Sequence, residues 1–127
     1  MRRVIKTTNA PTPIGPYNQA IEYQGTLYIS GQIALDAETG EWINPTISAE
    51  TEKVMQNLGA VLEAAGYRFE DIVKCSIFIK DMDQFQAINT VYARYFNEDL
   101  APARETVQVA RLPKDVNVEI SAIACKS

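Results

Sequence analysis

The spacing of hydrophobic residues switches between two periods along this chain, and the order of the switches limits the fold more than any single residue does. Residues 19–23 and 26–30 read as short strands joined by the turn pair Gln24-Gly25. Val54, Leu58, Val61, Leu62 and Ala65 then recur at helical spacing, with Ser48 as the expected N-cap and Gly66 as the stop. Residues 72–80 alternate as a strand, with Val73, Cys75, Ile77 and Ile79 expected on one face. A second helix is expected to start near Asp83, with Gln86 as its capping partner, and to bury Phe85, Ile88, Val91, Tyr92 and Tyr95. Strands at 105–110 and 116–125 close the chain. Strands, helix, strand, helix, strands is an α+β order: a single small domain over 1–127, with one mixed sheet and two helices packed on one of its faces.

Parity within the late strands assigns the side chains to faces. Val107 and Val109 are expected to face the helices, and Arg104, Thr106 and Gln108 the opposite side. Val116, Val118 and Ile120 oppose Asn117, Glu119 and Ser121. Arg104 and Glu119 are therefore expected together on the face that the helices leave bare, where water or another subunit must meet them.

Composition narrows the chemistry. The chain of 127 residues contains no histidine, which removes Ser-His-Asp and Cys-His catalysis and the commonest zinc ligand. Its two cysteines, Cys75 and Cys125, sit in apolar stretches and form no Cys-x-x-Cys pair, so inert thiols in a reducing compartment are expected. Neither zinc-based nor histidine-based catalysis is expected, and no metal site. Twelve basic against sixteen acidic residues give a net charge of -4, which weighs against nucleic acid as a partner. No stretch approaches the ~20 apolar residues of a membrane span, and no apolar run follows Arg2-Arg3 as it would in a secretory signal. The chain reads as cytoplasmic.

Several residues each admit two readings. Arg104, after Pro102-Ala103, is either a solvated charge or a planar fork for a carboxylate. Glu119, in a strand rich in Val and Ile, is by pattern its solvent-facing member. Tyr17 follows Gly15-Pro16 in a stiff loop with Pro11 and Pro13, and either packs there or faces a ligand. Gly31 either lets backbone approach a ligand or ends a strand, and Asn89 is either an exposed helical amide or a polar contact.

Four segments in register carry a resemblance over about residues 5–124: Ala10-Pro11-Thr12-Pro13-Ile14-Gly15-Pro16-Tyr17, Ile29-Ser30-Gly31-Gln32-Ile33, Pro102-Ala103-Arg104, and Val109-Ala110-Arg111-Leu112-Pro113-Lys114-Asp115-Val116 followed by Val118-Glu119-Ile120-Ser121-Ala122-Ile123-Ala124. In these the chain resembles the RidA subgroup of the Rid family, the reactive intermediate deaminases. The resemblance implies a chorismate mutase-like α+β fold, a homotrimer with active sites between subunits, and no cofactor. It implies hydrolysis of 2-imino acids, formed from enamines such as 2-aminoacrylate or 2-aminocrotonate, to 2-oxo acids and ammonia. By the same resemblance Arg104 binds the substrate carboxylate, Glu119 activates the attacking water, and Tyr17 and Ser30 line the pocket with the backbone at Thr106; Gly31 and Asn89 join them as further candidate contacts. Thr106 departs from the family, since many active members carry Cys there, and the role attributed to that position is largely its backbone's. Two rival functions stand beside the deaminase: a non-catalytic small-carboxylate sensor and a translation-inhibiting ribonuclease. The acidic charge and the missing histidine count against the second.

Overall fold

In the computed structural model, which describes residues 1–126, a six-stranded mixed sheet carries two α-helices on one face. The elements in chain order are β1 (Arg3–Ile5), β2 (Ala20–Tyr23), β3 (Thr26–Gln32), α1 (Ile47–Ala65), β4 (Ile72–Ile79), α2 (Phe85–Ala93), β5 (Ala103–Gln108) and β6 (Val118–Cys125). The strands lie in the order β1-β2-β3-β6-β4-β5. Only β4 and β5 run parallel, because α2 carries the chain back between them; every other pair is antiparallel.

Burial explains the layering. Val54, Leu58, Val61 and Leu62 of α1 are buried, and they join Leu27 and Ile29 of β3, Cys75, Ile77 and Ile79 of β4, and Val118, Ile120 and Ala122 of β6 in one core. A smaller cluster of Ile33, Leu35, Leu112 and Val116 ties the loop after β3 to the loop before β6. At the hairpin between β2 and β3, Gln24 and Gly25 take φ values of 49° and 80°, the paired left-handed residues that a two-residue turn requires. The opposite face of the sheet carries Val4, Ile21, Tyr28 and Ile123 in one cross-strand row, and Phe78 and Val107 in another, with no helix over them.

Several expectations need correction. The N-cap of α1 is Thr46, not Ser48: the Thr46 hydroxyl accepts the Ala49 N–H at 3.0 Å, and Ser48 lies inside the helix. The turn into α2 is capped by Asp81, whose carboxylate accepts the Asp83 N–H at 2.9 Å, so neither Asp83 nor Gln86 is the cap. Val73 is exposed and Ile72 takes its place in the core, because the β4–β6 register shifts between Ile72 and Lys74. The strand β1 escaped notice because three residues are too few to show alternation. The gravest error concerns β5. Arg104, Thr106 and Gln108 pair with the core residues Cys75, Ile77 and Ile79, so they lie on the helix side, and Val107 lies on the bare side beside Phe78. An edge strand with one apolar residue per turn of the pleat does not report which side its helix covers.

Thr46→Ala should destabilise the fold by about 1 kcal/mol through loss of the cap, whereas Ser48→Ala should change stability by less than about 0.5 kcal/mol. Urea denaturation of the two variants distinguishes the caps.

Candidate functional site

The residues singled out from the sequence fall into two groups, one on each side of the sheet. The first group gathers around Arg104 at the start of β5. Its guanidinium donates to the Asn89 side-chain oxygen at 2.7 Å and lies 5.0 Å from the Tyr92 ring centroid and 5.7 Å from that of Phe85. Asn89, Phe85 and Tyr92 all belong to α2, so the crossover that makes β4 and β5 parallel also brings the floor under Arg104. Thr106, two residues on and on the same side, buries its hydroxyl without a hydrogen-bond partner among the described residues. The Tyr92 hydroxyl is likewise buried and unpartnered, beside the Cys75 thiol. Burial raises the pKa of both the phenol and the thiol, which keeps them neutral. Cys75 is thus an inert core thiol. Arg104 itself is exposed at the sheet edge.

The second group gathers around Glu119 on the bare face. Glu119 stands in register with Phe78 between the buried Val118 and Ile120. Opposite it, β3 bulges between Ile29 and Gln32, and Gly31 in the bulge leaves room for the carboxylate. A Cβ on Gly31 would run into the Glu119 carboxylate. Burial alone raises the pKa of Glu119 above the ordinary glutamate value, with no cation or donor among the described residues to offset it. The start of β6 is held firmly. The fully buried Glu50 accepts the Asn117 backbone N–H and side-chain amide, each at 2.8 Å, two residues before Glu119.

The proline loop completes this second group. The buried Gln19 side chain donates to the carbonyls of Thr7, Ala10 and Pro11 and accepts the Thr7 N–H at 2.8 Å, which pins the loop to β2. The Ser30 hydroxyl donates to the Asn18 carbonyl at 2.6 Å, so its proton is committed to the same task. Tyr17, about half exposed, lines a small cleft together with Pro11, Ile14 and Gly31.

Tyr17, Ser30, Gly31 and Glu119 therefore meet on one side, and Asn89, Arg104 and Thr106 on the other. Glu119 and Arg104 are two strands and three residues apart, roughly 14 Å between Cα atoms from strand spacing and rise. On opposite sides of the sheet and that far apart, the two cannot both touch one small ligand within a single chain. Sequence reasoning missed Gln19, Phe85 and Tyr92. The two aromatics belong to the apolar stripe of α2, where nothing separates a ring beneath a guanidinium from ordinary core. Among the described residues no group of His, Cys, Asp and Glu could hold a metal ion, and no helix is long and apolar enough to cross a membrane.

Known proteins share this frame. The family described as Endoribonuclease L-PSP matches residues 7–126. A RutC family protein of Pyrococcus horikoshii is 52% identical over 126 residues, covering 99% of each chain. The mouse 2-iminobutanoate/2-iminopropanoate deaminase is 44% identical over 124 residues, covering 98% of this chain and 91% of its own. A solved Yersinia pestis protein of the conserved Rid protein family superposes with a TM-score of 0.95 at 44% identity, covering 99% of this chain and 100% of that one.

Gly31→Ala tests the packing of Glu119. The atoms nearest the methyl all belong to the flexible Glu119 side chain, so the variant should fold with stability within about 1 kcal/mol of the parent, and the side chain should swing out of the bulge. A crystal structure and a thermal melt check the two halves of that expectation.

Proposed function

Because this chain belongs to the endoribonuclease L-PSP, or Rid, family, we propose that it is a hydrolytic deaminase of small 2-imino acids, working as a homotrimer with three equivalent sites between subunits. The observation that carries the reading is the division of the two key groups between the faces of the sheet. An arginine fork stands at one edge, and a half-buried carboxylate without a partner stands on the bare face. Each is one half of an imine hydrolysis site, and closed cyclic packing of identical chains joins such halves. The apolar row Val4, Ile21, Tyr28 and Ile123 gives the bare face a reason to be covered.

In the proposed site Arg104 of one protomer grips the substrate carboxylate with two parallel N–H bonds. Glu119 of its neighbour holds a water against the imine carbon and takes its proton as the C–O bond forms and the C=N π pair moves to nitrogen. Backbone at Thr106 and Gly31 orients the nitrogen. The carbinolamine then collapses. The hydroxyl oxygen forms the C=O bond as the C–N bond breaks. Glu119 gives its proton to the leaving nitrogen and takes up the hydroxyl proton, so the protonated imine and water yield 2-oxo acid, ammonia and one proton that Glu119 releases to solvent. Imine hydrolysis is already quick in water, so positioning and one general base suffice. Tyr17 closes the cleft from the proline loop.

The name of the family invites a nuclease reading, but a net charge of -4 and the lack of histidine supply neither a basic groove nor the usual acid-base pair. A carboxylate sensor shares the Arg104 half of the site and differs in lacking turnover.

A coupled assay, with an imine-generating enzyme and semicarbazide as competing trap, tests the proposal. The parent should outcompete the trap. Glu119→Gln should still bind 2-oxobutanoate but lose about 10²-fold or more in turnover. Arg104→Lys should recover little of what Arg104→Ala loses, because a point charge does not hold the imine carbon in place. Binding of 2-oxobutanoate without any acceleration by the parent would leave a sensor.

A further inference from the structure

We propose that Tyr92, helped by Phe85, is a positioning residue that sets the Arg104 fork before any ligand arrives. This rests on Arg104 as the carboxylate anchor in the proposed deaminase. Arg104 is exposed on an edge strand, where a long side chain ordinarily samples many rotamers and loses that freedom on binding. Here its guanidinium is bracketed instead. The Tyr92 ring lies 5.0 Å away and the Phe85 ring 5.7 Å, within the range of cation–π attraction, while Asn89 takes one N–H at 2.7 Å. One donor committed to Asn89 leaves the rest of the fork free for a planar anion.

The Tyr92 hydroxyl has no part in this. It is buried beside Cys75 with no hydrogen-bond partner among the described residues, on a residue only 6% exposed. The ring therefore carries the effect, and a phenylalanine in its place would supply the same floor without an unsatisfied polar atom. Preorganisation lowers the ordering cost at binding. Once a carboxylate is held by two bonds it fixes the fork by itself, so the loss of the floor should appear in KM and not in kcat.

The test uses the intact protein. Tyr92→Leu should raise KM for the imine and Kd for 2-oxobutanoate about 5-fold and leave kcat within about 2-fold, and Tyr92→Phe should restore the parent values. Independently of any turnover, the 15N order parameter of the Arg104 Nε–H should fall in Tyr92→Leu and recover in Tyr92→Phe. Phe85→Ala, at a partly exposed ring, should lower the same order parameter and serves if Tyr92→Leu does not fold. If the parent accelerates no imine hydrolysis, the deaminase reading fails, while the order parameter still decides the role of the ring. If Arg104 keeps its order and affinity in Tyr92→Leu, or in Phe85→Ala where that variant alone folds, the proposal is overturned. Loss in kcat alone, or failure of Tyr92→Phe to restore the parent values, also overturns it.

Discussion

The parallel pairing of β5 with β4 sets Arg104 beside Cys75, and the arrangement of the whole candidate site follows from that register. Parallel neighbours need a crossover, and here the crossover is α2. The helix that closes the fold is also the surface on which the guanidinium rests. Asn89, Phe85 and Tyr92 come from one helix face, so the geometry around Arg104 is a property of packing and not of a loop.

The same parity sends Glu119 to the other side of the sheet. There the bulge in β3 removes a side chain where the carboxylate must lie, and the Glu50–Asn117 clamp fixes the start of its strand. The two halves are rigid for different reasons, one through helix packing and one through a bulge and a buried carboxylate. In the proposed homotrimer neither half is complete alone, and a cleft between protomers would let the sheet use both of its faces for one reaction.

Much of this was legible in the chain. The helical stripe from Val54 to Ala65 and the stop at Gly66 stand where the periodicity put them, and so does the hairpin at Gln24-Gly25. The α+β layout with both helices on one face followed from the order of periods. The face of β5 was not legible. Val107 looks like core and Arg104 like surface, yet on an edge strand the apolar residue faces the bare side and the arginine lies against aromatic rings. The caps at Thr46 and Asp81 lost to nearer candidates because capping depends on which residue leaves the helical conformation, and that is set by the preceding loop. Tyr92 and Phe85 hide in a stripe that they share with the ordinary core residues Ile88 and Val91.

The division of the site between protomers is tested most directly by mixing two inactive variants. Arg104→Ala and Glu119→Gln each spoil every site of a homotrimer. Dissociated together and reassembled at equal amounts, they should form mixed trimers in which an intact Arg104 of one chain faces an intact Glu119 of the next. Random assembly then leaves about one quarter of the sites complete, so activity should return to roughly that fraction of the parent. If the mixture stays as inactive as its components, while its mass shows that subunits have exchanged, Arg104 and Glu119 do not act across a shared cleft and the account is wrong.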